Sequence, residues 1–302
     1  MDIQFYQSAL ARQFSHLDLA GFRPLGEGGG CHVFETECGL VWRFLKPSSP
    51  QTGLDLEIRL LPELAGAMPL PIPRYEYISD STVSPRFVGY RKIEGVPFTR
   101  ERLAACRSDR PLRQLAQFLT ELHRFPIERA QAIRVPLASP HERRSQWREW
   151  SEQIHQHVFP LLDERQRAWA ERTLSDMLDD KVMLDYAPVL HHGDLWAEHI
   201  LFDPEREELT GVIDFESAGI GDPAGDWTAL WLDHGDDTVE RLLACYQGPT
   251  NETLRHRIGR LANNVPLNEI LCGVLYDDRA SWRAGWEQVS RSVGKSSASQ
   301  TI

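Results

Sequence analysis

The stretch His191-His192-Gly193-Asp194-Leu195-Trp196-Ala197-Glu198-His199-Ile200-Leu201 decides how this chain reads. Val189–His192 is a short apolar strand, and an acid follows it in a loop. Five residues after Asp194 comes His199, directly before another apolar run. Leu209–Asp214 repeats the device, with Ile213-Asp214-Phe215 ending a second short strand in an acid. Two carboxylates and an imidazole are therefore expected together at the ends of neighbouring strands. A rigid sheet that presents reactive side chains from strand ends and loops is a common way to build a site.

Outward from this stretch the chain divides in two. The first 95 residues alternate apolar and polar residues between turn signals, as a small sheet with one helix would. Phe22–Leu25, Cys31–Thr36, Leu40–Lys46, Tyr75–Ile78 and Arg86–Ile93 read as strands, and Gly53–Gly66 as a helix that must stop before Pro69. Gly95-Val96-Pro97 breaks the pattern and marks a boundary. Beyond it, Leu112, Leu115, Ala116, Leu119 and Leu122 recur at helix spacing. Long helices are expected over Pro140–His157 and Glu164–Asp180, and helices resume from Asp222.

Composition narrows the function. The net charge is -11, which disfavours a nucleic-acid binder that must meet phosphates with basic surface. Between Asp185 and Tyr246 stand fifteen acidic residues and two arginines, a field that attracts cations. No stretch approaches the ~20 apolar residues that span a bilayer. The start Met-Asp-Ile-Gln-Phe has no basic segment followed by an apolar run, so a cytoplasmic chain is expected. The five cysteines include no Cys-x-x-Cys pair and are expected to be reduced packing residues. No heptad or unpaired apolar stripe stands out, so a monomer is expected.

These residues carry a family resemblance. His192 through Ile200 resembles the His-Gly-Asp-x-x-x-x-(Asn/His)-Ile motif of the antibiotic phosphotransferases, which are protein-kinase-like small-molecule kinases. Ile213-Asp214-Phe215 resembles their Ile-Asp-(Phe/Trp) motif, and Gly221-Asp222-Pro223-Ala224-Gly225-Asp226 their (Gly/Ser)-Asp-Pro-x-x-Asp. The likeness is greatest to the aminoglycoside 2''-phosphotransferases, with the macrolide phosphotransferases next. It implies an α+β, bilobal protein-kinase-like fold: a small antiparallel-sheet N-lobe over residues 1–95 and a mostly helical C-lobe over 96–302. It also implies transfer of the γ-phosphate of ATP or GTP to a hydroxyl of a small molecule, with Mg2+ as cofactor. Asp194 would orient the acceptor hydroxyl as the base, and His199 and Asp214 would hold the metal. His192 and Asp226 are expected to brace the loop rather than react.

The N-terminal half then supplies the nucleotide grip. Gly26, Gly28, Gly29 and Gly30 lie between two expected strands, where glycine lets backbone N–H groups approach phosphates. In Val41-Trp42-Arg43-Phe44-Leu45-Lys46, alternation puts Arg43 among apolar neighbours on one face. A buried cation needs a partner, and Glu57 falls on the apolar side of its helix with Leu54, Leu61 and Leu64. An Arg43–Glu57 pair resembles the kinase lysine–glutamate pair, with Lys46 as the rival cation. Backbone groups from Arg91 to Ile93 would meet the nucleobase. Tyr90 either backs the base or is plain core.

On the acceptor side, Asp233, Asp236, Asp237, Glu269 and Asp278 match acidic positions with which the family holds the ammonium groups of aminoglycosides. A macrolide or metabolite kinase on the same scaffold, and a nucleotide-binding pseudokinase, remain the alternatives. The intact Asp194, His199 and Asp214 set argues against the last.

Overall fold

The computed structural model describes residues 2–27, 30–47 and 49–298. The N-lobe sheet has five antiparallel strands: β1 (Arg23–Glu27), β2 (Cys31–Glu35), β3 (Leu40–Leu45), β4 (Tyr75–Ile78) and β5 (Phe87–Arg91), in the order β1-β2-β3-β5-β4. Strand β3 is central and buried throughout, because its two faces meet two different helices. Leu40, Trp42 and Phe44 join Phe34 and Phe87 in an aromatic core. The opposite face carries Arg43 toward helix α2 (Thr52–Leu64), on which Leu54, Glu57, Leu60, Leu61 and Leu64 are buried.

The aromatic face is covered by helix α1 (Ile3–Gln13), so the N-lobe has two helices and not the expected one. The signal was present but short. Tyr6, Ala9 and Leu10 are the buried residues of α1, spaced three and four apart, and Asp2 caps the helix by accepting from the Gln4 and Phe5 N–H groups. Gly89 stands opposite Trp42 in the β3–β5 ladder, and the indole lies across it. A Cβ at residue 89 would sit 2.4 Å from Trp42 Cζ3, so a side chain there would force the central strand apart.

The chain leaves the sheet after Arg91. Strand β6 (Val96–Pro97) already pairs with a C-lobe strand. Helices α3 (Arg100–Ala105), α4 (Arg110–His123), α5 (Ile127–Ala132), α6 (Pro140–Gln153) and α7 (Glu164–Leu178) precede strand β7 (Val189–His191). Helix α6 is shorter than its pattern suggested, because the backbone widens into a π turn at Ile154–Val158. Strands β8 (Ile200–Asp203) and β9 (Glu208–Val212) form a hairpin beside β6, and β10 (Gly219–Gly221) returns to pair with β7. Helices α8 (Ala224–His234), α9 (Asp236–Cys245), α10 (Leu254–Tyr276) and α11 (Arg279–Ala298) complete the lobe. Among the described residues, no helix is long and apolar enough to cross a membrane. The five cysteines form no disulfide.

One core continues from α2 of the N-lobe through α4 and β7–β9 to α8. It includes Leu195, Ile200, Val212 and Phe215, so the loops after β7 and β9 are nailed down by apolar side chains on both sides of their acids. A second cluster packs α10 and α11 against α7, with Leu267, Ile270 and Val289 buried.

Candidate active site

The two acids singled out by the sequence meet at one imidazole. His199 Nδ1 lies 3.5 Å from an Asp194 carboxylate oxygen, and its Nε2 lies 3.7 Å from Asp214 Oδ2. The tautomer follows from geometry. Nδ1 is 2.7 Å from the Asp194 carbonyl, which only accepts, so Nδ1 carries the proton. In the neutral ring the Nε2 lone pair then faces Asp214, with Glu198 Oε1 at 4.0 Å.

Local hydrogen bonds explain why the loops after β7 and β9 converge this way. The Ile213 N–H donates to the His199 carbonyl, and His192 Nε2 donates to the Ile213 carbonyl. His192 Nδ1 accepts from the Asp194 N–H, so this buried ring ties both acid-bearing loops together and stays neutral. Burial pushes its pKa down to about 4. Gly193 takes a positive φ of 82°, and a Cβ there would collide with the Ser217 carbonyl at 2.2 Å. Asp214 itself has φ 69°, a left-handed conformation that aspartate tolerates better than most residues and that often marks a functional turn.

Asp226 braces the loop from beneath, as expected. It is fully buried and accepts from the His192 N–H at 2.9 Å, the Gly193 N–H at 2.8 Å and His123 Nε2 at 3.1 Å. Burial raises its pKa, but the His123 hydrogen bond and charge outweigh that and hold it well below the usual carboxylate range. Asp226→Ala would strand two backbone donors and an imidazole in the core. It should cost about 3–5 kcal/mol, the range for breaking a buried charge pair, as read from chemical denaturation. A loss under 1 kcal/mol would show that the loop does not depend on it.

The N-lobe reaches the same place. Arg43 Nη1 donates to both Glu57 oxygens, at 2.8 and 3.1 Å, and the residue is buried. Glu57 also accepts from the Tyr75 hydroxyl at 2.7 Å and from the Phe215 N–H at 2.8 Å. Arg43 Nη2 donates to Asp214 Oδ1 at 3.1 Å and to Glu216 Oε1 at 2.5 Å. Arg43, not Lys46, therefore makes the pair with Glu57; the Lys46 charge is felt instead by Asp278. Tyr75 and Glu216 had no sequence signal beyond their positions: one faces inward from β4, the other stands two residues after Asp214. Tyr90 is buried beside Tyr75, with ring centroids 5.7 Å apart.

Gly28 and Gly29 lie outside the described residues. Gly26 pairs with Val33 across a bulge in the β1–β2 ladder, and the Gly30 carbonyl accepts from the Lys46 N–H. Arg91 ends β5 with its side chain turned outward to the Cys38 carbonyl and Glu76. Ile93 packs toward Gly211 on β9, where a Cβ would meet its Cγ2 at 2.7 Å.

The electrostatics separate the two central acids. Burial raises Asp194 to about 6; the Asp214 and Glu198 charges add to the shift, while His199 and a hydrogen bond from the Trp196 side chain oppose it. Asp214 is also partly desolvated, but Arg43, His199 and His192 outweigh burial and lower its pKa. Two carboxylates whose environments push them apart suit two different tasks. Carboxylate oxygens of Glu57, Asp214 and Glu216 all lie within 4.8 Å of one another, an excess of hard donors around one guanidinium. Arg43 engages Glu57 and Glu216, which leaves Asp214 Oδ2 and His199 Nε2, 3.7 Å apart, as the pair that could hold a hard divalent cation.

The chain matches the APH phosphotransferase enzyme family over residues 33–256. It belongs to that family. The phosphotransferase is 29% identical over 204 residues to the viomycin phosphotransferase of Streptomyces vinaceus, covering 67% of this chain and 68% of the relative. Its fold superposes on the GDP and kanamycin complex of APH(2'')-IIIa with a TM-score of 0.85 and 30% identity, covering 95% of this chain and 97% of that one. It shares the fold of macrolide 2'-phosphotransferase type I at a TM-score of 0.71 and 21% identity, over 95% of both chains. The phosphotransferase thus has the kinase-like fold expected from its motifs, with an antiparallel-sheet N-lobe and a mostly helical C-lobe.

The acids flanking the phosphotransferase site fall into two groups. Asp233 accepts from the Ala197 N–H at 2.6 Å, beside the 194–199 loop. Burial raises its pKa, and the Glu198 charge adds to the rise. Glu269 on α10 is raised by burial and by the charges of Asp278 and Glu198, against a hydrogen bond from Ser281. Asp278 caps α11 through the Ala280 and Ser281 N–H groups. Glu198, Asp233, Glu269 and Asp278 thus share one electrostatic neighbourhood with the Asp194 loop. Asp236 and Asp237 do not join it through any contact among the described residues. Both sit in the first turn of α9, where Asp236 takes the Trp231 indole N–H and faces Arg255 at 3.2 Å, and Asp237 lies 3.9 Å from Arg241. Glu198 carries no sequence signal of its own, because Glu269 on α10, on which its charge acts, is too remote in sequence to reveal the link.

Proposed function

We propose that this phosphotransferase moves the γ-phosphate of ATP or GTP to a hydroxyl of an aminoglycoside. The observation that carries the chemistry is Asp194 and Asp214 on opposite sides of the His199 ring, at 3.5 and 3.7 Å, with Arg43 bound to Asp214 from above. Phosphoryl transfer asks a protein mainly for positioning and charge neutralisation. Asp194 accepts the proton-bearing hydroxyl of the acceptor and aims it. Its pKa of about 6 keeps it ionised at neutral pH yet basic enough to take a share of that proton. Asp214 and His199 Nε2 would hold Mg2+, which when bound neutralises the phosphate oxygens. Arg43, set by Glu57, and the turn Gly26–Gly30 receive the phosphates, and the backbone from Arg91 to Ile93 receives the base. We take residue 95 as the lobe boundary, the cytoplasm as the compartment, and the working unit as a monomer.

The acceptor follows from charge. Aminoglycosides are polyamines, and the Glu198 charge beside Asp194 acts on Asp233 and Glu269, with Asp278 acting on Glu269 in turn, so negative charge extends outward from the Asp194 loop. The kanamycin complex of the structural relative supports the same class. Asp236 and Asp237, already paired on α9, contribute to the general field. A turnover screen of polycationic and neutral hydroxylated acceptors, with each nucleotide in parallel, tests this reading. Turnover confined to neutral acceptors would overturn it. Within that screen, Glu269→Gln should raise the KM for a polycationic acceptor roughly two- to fivefold, the size of one partly exposed ion pair, with kcat and the nucleotide KM unchanged.

A further inference from the structure

Arg43 is surrounded by more acid than one guanidinium neutralises, and its three carboxylate partners are not equivalent. Glu57 is committed elsewhere as well, to the Tyr75 hydroxyl and the Phe215 N–H. Asp214 answers also to His199. Glu216 differs. It makes the shortest contact to the guanidinium, 2.5 Å from Nη2. Its other neighbours are the Cys31 thiol, at 3.6 Å, and Gly30, where a Cβ would lie 3.4 Å from Glu216 Oε2. The Glu216 carboxylate therefore lies between Gly30 and Nη2 of Arg43. Gly53, at the start of α2, admits it there, since a Cβ at residue 53 would be only 3.0 Å from the Glu216 Cβ.

Under the proposed function Arg43 receives the phosphates, so an anion held by its Nη2 occupies a place that a nucleotide phosphate would take. Nη2 has two hydrogens, and Asp214 Oδ1 and Glu216 Oε1 take both, so a phosphate gains this nitrogen only by displacing one of them; Asp214 is also tied to His199, and Glu216 is not. We propose that Glu216 is an internal stand-in for a nucleotide phosphate: it holds Arg43 Nη2 until a nucleotide binds, must be displaced when the nucleotide enters, and so sets nucleotide affinity. The proposal rests on Arg43 receiving the phosphates. Its benefit to the protein is physical. A buried guanidinium with an Nη2 hydrogen unmet would be costly, and Glu216 keeps that hydrogen paired and the group aimed until the ligand arrives. No bond is made or broken; one ion pair is exchanged for another.

The test is equilibrium binding of ADP and GDP, in excess EDTA and in Mg2+, to the wild type, Glu216→Gln, Glu216→Ala, Arg43→Lys and the Arg43→Lys/Glu216→Gln double variant. Circular dichroism identifies the variants that fold. Both Glu216 variants should bind the metal-free diphosphate more tightly, by roughly five- to tenfold, the change expected when one competing charge contact is removed. Arg43→Lys keeps a charge for Glu57 but removes the second nitrogen, so it should weaken binding and cancel the gain in the double variant. Unchanged or weaker metal-free binding in both Glu216 variants overturns the stand-in role, and if Arg43→Lys still weakens binding, the assignment of Arg43 survives. An Arg43→Lys variant with wild-type affinity removes both. A loss of affinity confined to Mg2+ would make Glu216 a metal ligand and would equally overturn the proposal.

Discussion

Asp194→Ala should fold, bind nucleotide with wild-type affinity and lose turnover by about 10²–10⁴-fold, the range for removing a positioned general base. The separation of effects follows from the contacts. The Asp194 backbone, not its side chain, holds the loop: its N–H donates to His192 and its carbonyl accepts from His199. Its side chain is 39% exposed, so its removal leaves the buried contacts of the loop in place. The pH profile adds a second readout. Burial, with Asp214 and Glu198, raises Asp194 to about 6, and the working form is the carboxylate. Turnover should therefore be low below pH 6, rise as pH passes through about 6 and level off above it. Asp194→Asn should abolish that limb along with the activity. An Asp194→Ala enzyme with near-normal kcat would remove Asp194 from the chemistry.

Asp214→Asn should be at least as damaging, but in a different pattern. Asp214 is the acid kept ionised by Arg43, His199 and His192 in spite of its burial. The asparagine variant keeps the shape and the left-handed turn while losing the charge that would hold Mg2+. Loss of metal-based charge stabilisation removes several kcal/mol from the transition state, a fall in kcat of about 10²–10³ or more. Mg2+-dependent nucleotide binding should weaken together with kcat, and raising Mg2+ should recover part of both. Steady-state kinetics across a Mg2+ titration separate this from Asp194→Ala, for which Mg2+ should recover nothing. An Asp214→Asn enzyme with an unaltered Mg2+ dependence would take the metal away from this residue.

Legibility in the sequence tracked the range of the interactions. The Asp194–His199 loop was readable because much of its geometry is set within a few residues, by the Asp194 N–H on His192 and by His199 on the Asp194 carbonyl, whereas the Asp214 turn joins it through the His192–Ile213 bond 21 positions apart. The Arg43–Glu57 pair was readable from two periodicities, that of strand β3 and that of helix α2, since each put a charge on an apolar face. The bond from the Phe215 N–H to Glu57 was not, because it joins residues 158 positions apart. Glu216 had no pattern to betray it. Helix α1 escaped notice because only Tyr6, Ala9 and Leu10 make its buried stripe, although the apolar Leu40, Trp42 and Phe44 face of β3 required some cover. Acid density around residues 185–246 indicated a cation but not which acids share a face. Asp233 turned toward the loop, whereas Asp236 and Asp237 were taken up by α9 and its arginines.

The central claim is that Asp194 and Asp214 converge on one triphosphate, one aiming an incoming hydroxyl and the other holding the metal. Its most direct test is to follow the γ-phosphate. The protein is incubated with γ-labelled ATP or GTP and an aminoglycoside, with and without Mg2+, and the products are separated. Label on the acceptor hydroxyl, requiring Mg2+ and absent with Asp194→Ala, is the expected result. Label that stays on the nucleotide with every acceptor, or appears on the acceptor equally with Asp194→Ala, would contradict it.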